Sequence, residues 1–301
     1  MHKIKLRSFL GSFLRSICGL QWLNERKLKR PIIVCYHGIV EKITDPFLEE
    51  YCIDIKTFSQ HIKLLKKLYV PVSLSTLIEA LNSDSEVNEK FVVVTFDDAL
   101  KNQVCLGGSI LNDYNVPWAL AVPSGLIEKG RSIWTYELSL LLYRCWKKGD
   151  IALPGFPLKK ITVHSLKEKH QALLIISKML FHEITAREKL EYIDSLIDKV
   201  GRSLYQDKLN EHGHYSLATW NELKMVAGTG TELLAHGWYH FPQNDTLSNH
   251  YLEREIIDSR NEIFKKIGVK PQGFALPHGM SHPKTNYLLK RAGYNYCLTS
   301  N

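Results

Sequence analysis

The stretch Phe91-Val92-Val93-Val94-Thr95-Phe96-Asp97-Asp98-Ala99-Leu100 decides the fold. Five of its first six residues are apolar and four are β-branched, after which two carboxylates stand side by side. A short, nearly unbroken apolar run reads as a strand buried on both faces, the habit of parallel sheets in α/β proteins. Two acids at its exit would be costly inside the core, so they belong where the strand leaves it. In parallel α/β architectures that is the carboxyl edge, where ligands and catalytic groups collect. Adjacent acids at a loop start also serve simply to cap the next helix. The rest of the chain has to choose between these readings.

Working outward, the same pattern recurs. Pro31-Ile32-Ile33-Val34-Cys35-Tyr36-His37-Gly38 reads as the first barrel strand, again ending in a polar residue. Tyr69–Val72 is a short strand and Trp118–Val122 a buried one, leading to Pro123-Ser124-Gly125. Later strands are Thr231–Ala235, Gly273–Leu276 and Tyr294–Thr299. Between them, apolar residues at helical spacing predict helices over Thr57–Leu68, Thr76–Leu81 capped by Ser75, about 99–114, Ser216–Ala227 capped by Ser216 or Thr219, Leu252–Ile267 and Lys284–Ala292. Strand–helix–strand alternation argues for right-handed parallel units. From about 133 to 210 the pattern is helical (Tyr136–Lys147, Leu166–Phe181, Arg187–Leu204) with a Gly/Pro break at Leu153–Pro157, which reads as a helical insertion flanking the barrel, a candidate lid. Its His164, His170 and His182 read as surface residues.

Composition narrows the function. The 301 residues suffice for one large core or two small ones, and the net charge is +8. Residues 1–30 hold eight Lys/Arg against one acid, Glu25, leaving 31 basic and 30 acidic residues for the body. The basic character therefore belongs to an N-terminal arm, and nucleic-acid binding is not indicated. Six cysteines (18, 35, 52, 105, 145 and 297) show no CxxC and no paired spacing, as expected of reduced thiols in a reducing compartment, with Cys35 and Cys105 read as core packing.

In that arm, Leu6, Phe9, Leu10, Phe13, Leu14, Ile17 and Leu20 alternate with polar residues at helical spacing. At about 100° per residue the apolar set takes one half of the wheel. Arg7 and Arg15 rule out an ordinary spanning helix here, and Arg15 interrupts what would be a signal-peptide core. A basic amphipathic helix with Trp22 near its end fits an in-plane anchor on an anionic membrane surface. The alternative is a helix packed on the body of the protein.

Five polar clusters fall at strand exits: His37, Asp97/Asp98, Ser124, His236/His240 and His278. In a barrel all would share one rim. Two histidines four apart can point at a single ion, and a carboxylate from another strand completes a set of two His and one Asp. Three protein ligands leave positions open for water, the mark of a catalytic metal site. HxxxH alone is weak evidence, and a lone histidine at a strand end serves structure as readily as chemistry. Joined to strand-end acids, the set gains specificity.

Thr95-Phe96-Asp97-Asp98, Ala235-His236-Gly237-Trp238-Tyr239-His240-Phe241-Pro242 and Phe274-Ala275-Leu276-Pro277-His278-Gly279 resemble the successive signatures of the NodB-homology polysaccharide deacetylases, carbohydrate esterase family four. Tyr36-His37-Gly38 and the terminal Gly293-Tyr294 and Leu298-Thr299-Ser300 are similar to the branch with a YH motif in its first strand. The resemblance runs from about 31 to 301 and implies a distorted (β/α) barrel with fewer than eight strands, here with an N-terminal amphipathic helix at 1–30. It implies removal of N-acetyl groups from amino sugars with a divalent metal. Zinc is favoured by the ligand set, although iron, cobalt, nickel or manganese also suit it. Asp98, His236 and His240 would hold the ion. Asp97 would be the general base, since a bound metal brings its water's pKa to roughly 7 and a nearby carboxylate can then take the proton. The backbone N–H of His278 would stabilise the oxyanion. His37 is the candidate general acid, in place of a late-strand histidine that this chain lacks. Trp238, Tyr239 and Pro277 would meet substrate, and Trp134 and Phe241 could also stack on sugar faces, with core packing the equal alternative for each aromatic. The chain departs from the family pattern at Ala99 (usually Gly), Gly237 (usually Ser/Thr) and Ala275, where many members carry an Arg that orients the base.

The expected activity is therefore N-deacetylation of a glycan or lipid-linked sugar intermediate. The amphipathic arm and the missing signal peptide place it at the cytoplasmic membrane face. The rivals are a catalytically silent glycan-binding or scaffolding barrel and an O-acetyl esterase.

Overall fold

Runs of β-branched and aromatic residues set the sheet. The computed structural model describes residues 2–6, 30–45, 48–83, 87–143, 165–203, 206 and 213–300. Ten strands are described: β1 (His2–Leu6), β2 (Ile32–Tyr36), β3 (Gly38–Val40), β4 (Cys52–Asp54), β5 (Val70–Pro71), β6 (Phe91–Phe96), β7 (Trp118–Val122), β8 (Thr231–Ala235), β9 (Gly273–Ala275) and β10 (Tyr296–Ser300). The main sheet runs β1-β10-β9-β8-β7-β6-β2 with β5 beside β6, and every pairing is parallel. Six strands, β2 and β6 to β10, form a curled half-barrel, as expected of a (β/α) barrel with fewer than eight. β1 extends it beyond β10 and also touches β2. β3 and β4 pair separately, a small parallel sheet that the alternation of apolar residues did not reveal.

Side chains alternate between two layers. Val92, Val94, Phe96, Trp118, Leu120, Val122, Leu233 and Phe274 face outward into the larger core, shared with Phe58, Ile62 and Leu65 of the helix Ile55–Leu68 and Ile263 of Ser259–Ile267. Val93, Ala119, Ala121, Leu234, Ala275 and Leu298 face the inside of the curl and pack with Leu74, Leu77 and Ile78 of the helix Leu74–Asn82. That helix fills the curl from below. Its Ser75 N–H and hydroxyl both bond Glu232, near the amino end of β8.

Several expectations are corrected. Ser73, not Ser75, caps Leu74–Asn82, because Ser75 is engaged by Glu232. Thr219 with Glu222 makes a capping box that starts its helix at Trp220, leaving Ser216 outside. Cys105 is exposed, on the outer side of its helix. Residues 2–6 form β1, so the helix expected from Leu6 does not begin there; its other positions, 7–29, lie outside the described residues. The insertion supplies Trp134–Tyr143, Leu166–His182 and Ala186–Val200, whose Leu138, Ile176 and Ile193 join the larger core. The Leu153–Pro157 break and His164 lie outside the described residues, while His170 and His182 are exposed as expected. Among the described residues no helix is long and apolar enough to cross a membrane.

Candidate functional site

Each polar cluster leaves the carboxyl end of a parallel strand: His37 after β2, Asp97 and Asp98 after β6, Ser124 after β7, His236 and His240 after β8, His278 after β9. The alternation places Cys35, Thr95 and Asp97 on the inner face, with Cys35 opposite Thr95. Asp98 then turns away with φ 81°, and Ala99 follows at 51°. Two successive residues in the left-handed region reverse the chain and drop the Asp98 carboxylate toward the exit of β8.

There it meets both histidines. Asp98 Oδ1 lies 3.1 Å from His240 Nε2 and 3.5 Å from His236 Nε2, and the two Nε2 atoms are 3.1 Å apart. All three residues are buried, Asp98 to 3% exposure. The His236 ring is aimed by its other nitrogen: Nδ1–H donates to the Ala275 carbonyl at 2.8 Å, an acceptor that assigns the tautomer and leaves Nε2 as a lone pair. Asp98 Oδ2 accepts the Tyr136 hydroxyl at 2.9 Å. Burial works against charge on all three groups, yet the histidines hold Asp98 well below the usual carboxylate range. Burial opposes the cation on His236 too, but Asp97 and Asp98 lift its pKa to about 9, whereas burial and the charge of His236 push His240 down.

Donor chemistry and spacing fit a divalent ion. Ligand bonds of about 2.0–2.2 Å separate neighbouring donor atoms by roughly 3.0–3.5 Å, as found in this triangle. Two imidazole lone pairs and a carboxylate oxygen otherwise face each other in a buried space with one oxygen, Asp98 Oδ1, lacking a hydrogen-bond partner. Among the described residues this is the single three-residue group with such an arrangement.

Asp97 stands beside this triangle, half-buried, with its N–H donated to the Tyr36 carbonyl at 3.1 Å. The Cys35 thiol bonds the Tyr36 carbonyl at 3.7 Å, and burial together with the nearby Asp97 carboxylate raises its pKa. Cys35 therefore lines the site, where the sequence suggested simple packing. Ala275 contributes its carbonyl to His236. His37 is half-buried, near enough for its charge to act on Asp98 and His278. His278 has φ 56° and is the second residue of the short 3-10 turn Pro277–Gly279, too early in that turn for its N–H to have a carbonyl partner there. Its ring packs edge-on against His240 at 4.6 Å and Phe181 at 4.5 Å, and burial keeps it neutral.

The expected substrate-facing residues are placed differently from one another. Trp238 is half-buried with the Arg254 guanidinium over its ring. Tyr239 is buried, its ring against Phe241, with Lys129 and Arg254 over it, so it offers no free face to a sugar. Phe241 and Pro277 are buried as well. Trp134 donates its indole N–H to the His240 carbonyl and supports the site from within.

Sequence reasoning missed three supports. Tyr136 lies in the insertion, where nothing local marks it as a partner for Asp98. Gln103 is fully buried: its Nε2 donates to the carbonyls of His37 at 3.0 Å and Asp97 at 2.5 Å, while Oε1 accepts the Leu100 N–H. Glu255, also fully buried, binds the turn between the two histidines. The only local hint of it was Gly237.

Residues 198–297 match the family model described as polysaccharide deacetylase, a third of the chain that carries β8, both histidines and the Pro277-His278-Gly279 turn. The half-barrel is similar to that of IcaB from Ammonifex degensii, with TM-score 0.55, 15% identity, and 90% of this chain and 84% of that one covered. It is similar to the Streptococcus pyogenes deacetylase PplD in complex with acetate, with TM-score 0.55, 18% identity, and coverage of 91% and 84%. A de-N-acetylase from Aggregatibacter actinomycetemcomitans gives TM-score 0.51, 18% identity, and coverage of 90% and 87%. No curated protein sequence matches the chain. At these identities the solved structures speak to the fold, and the fold is the expected one.

Proposed function

We propose that this chain, which has the fold of the solved deacetylases and matches the polysaccharide deacetylase family model over residues 198–297, is a metal-dependent hydrolase that removes N-acetyl groups from an amino sugar. A glycan or a lipid-linked intermediate at the cytoplasmic membrane face is the proposed substrate. The observation that carries this reading is the triangle of Asp98 Oδ1, His236 Nε2 and His240 Nε2 beside a second carboxylate, Asp97. Asp98, His236 and His240 would hold the ion, zinc being the favoured one. When bound, it supplies Lewis-acid polarisation of the amide carbonyl and of water.

The chain's own residues do the rest. Asp97 accepts the proton of the attacking water. The His278 N–H faces the charge that develops on the carbonyl oxygen. His37, on the neighbouring strand exit, gives a proton to the departing nitrogen. The carbon–nitrogen bond breaks, leaving a free amine on the sugar and acetate.

The test uses full-length protein and N-acetylated amino-sugar oligomers, with new amine and acetate both measured. Asp97→Asn is expected to reduce amine release by at least about 100-fold. His240→Ala should abolish it together with zinc binding. Activity that survives both changes would overturn the enzyme reading. Acetate released without new amine would point to an O-acetyl esterase.

A further inference from the structure

The two histidines are held by different means. His236 directly follows β8: its N–H bonds the Val122 carbonyl at 3.0 Å, and its ring is fixed by the Ala275 carbonyl. His240 stands at the far end of a turn, in the left-handed region at φ 59°, and its Nδ1 is buried without a partner. An outer hydrogen bond, the usual device for aiming a metal-binding imidazole, is missing from this ring. Its direction is therefore set by the backbone that carries it, together with the rings of His236 and His278 packed against it.

That backbone is gripped by one carboxylate. Glu255 Oε2 accepts the N–H groups of Trp238 at 3.1 Å and Phe241 at 3.3 Å, and Oε1 accepts that of Tyr239 at 2.8 Å. The turn thus hands three of its peptide donors to a single fully buried side chain. Among the described residues no cation comes within ion-pair distance of it. The three amides offset the cost of burying its charge, in the manner of an anion held by a concave backbone, and the charge of His236 adds to them. The grip leaves no room beside it. A methyl group on Gly237, whose φ is 84°, would stand 2.2 Å from Glu255 Oε2. This accounts for glycine at a position where the family usually has Ser or Thr.

We propose that Glu255 is a positioning residue that fixes His240 relative to His236 and so sets the geometry of the metal site. This rests on the metal-dependent reading above. Glu255 touches neither ligand ring. It acts through the turn, and Gly237 is the complement that lets it approach.

The experiment measures zinc affinity of the full-length protein, stripped of metal and titrated against a chromogenic chelator, with circular dichroism and thermal unfolding as checks on folding. Glu255→Ala is expected to weaken zinc binding about 10- to 100-fold. Glu255→Gln, of nearly the same shape, should lose about 10-fold, because one carbonyl oxygen replaces two and an amide N–H₂ faces the remaining donors. Gly237→Ala should weaken binding in the wild type and less so beside Glu255→Ala, where the obstructing oxygen is gone. Arg260→Gln is the structural control: it loosens the same helix where Arg260 holds the carbonyls of Pro271, Ala292 and Gly293, and should lower the melting temperature with zinc affinity unchanged. Folded Glu255 variants that bind zinc like the wild type, or an Arg260 variant that loses as much, would overturn the positioning role and leave the deacetylase reading standing. A wild-type protein that binds no zinc would overturn both.

Discussion

Asp98, Ala99, His240 and His278 all hold φ between 51° and 81°, in the region that costs a residue with a Cβ about 1–2 kcal/mol. All four lie at the carboxyl rim, and neighbouring contacts hold them there. A different kind of cost sits behind the rim. Lys189 is 1% exposed, with Nζ 3.3 Å from Thr246 Oγ1 and 5.5 Å from the centre of the Phe241 ring. Burial lowers its pKa to about 8, against a smaller opposing pull from Glu255. A cation whose folded pKa lies below its unfolded value destabilises the protein below pH 8. That penalty disappears as pH rises toward about 10.4, where both states lose the proton. Lys189→Met is therefore expected to stabilise the fold at pH 7 by about 1–3 kcal/mol, with the advantage shrinking between pH 8 and 10. Urea midpoints for both proteins at the two ends of that range check it; a constant difference would contradict the shifted titration. At this scale the acids and histidines were legible because each ends an apolar run. Tyr136 and Lys189 were not, since their partners lie 38 and 57 residues away.

The elements divide in the same way. Strands β6, β7 and β8 could be placed closely from β-branched and aromatic runs, because strands buried on both faces leave little else for their residues to be. Helices were legible as periodic segments but not in their interiors. Two contain π-turns, Gln103–Gly107 and Arg254–Asp258, and each presents a buried polar side chain to the loops of the site: Gln103 to the exits of β2 and β6, Glu255 to the turn after β8. A wheel drawn at 3.6 residues per turn cannot show a widened turn, so the periodicity gave no reason to place either side chain inside. The departure from regular geometry is what carries them inward. Gln103→Leu keeps the volume but removes three hydrogen bonds and strands two carbonyls and one N–H, at an expected cost of about 2–4 kcal/mol. Chemical denaturation measures that cost. A loss under about 1 kcal/mol would mean that water or rearrangement replaces Gln103 readily.

For the whole molecule, the open issue is the basic arm. β1 lies parallel to β10 and also touches β2, so residues 7–29 connect two parallel strands, a link that ordinarily takes a dozen or more residues and often a helix. The amphipathic stretch has two possible destinations: the anionic membrane surface we propose, and the outside of the barrel. Leu10→Glu with Phe13→Glu is expected to release the protein from the membrane fraction with its melting temperature unchanged. Unchanged fractionation with a lowered melting temperature would assign the segment to the barrel. Both destinations agree with the charge pattern, and this is why the sequence left the matter open. The helix Leu74–Asn82, which fills the curl from below, bears on how a polymer would be handled. A plugged barrel has no tunnel. A long glycan would have to lie across the mouth instead of threading through it, no free chain end would be needed, and units in the middle of a strand would be as open to attack as those at its tip.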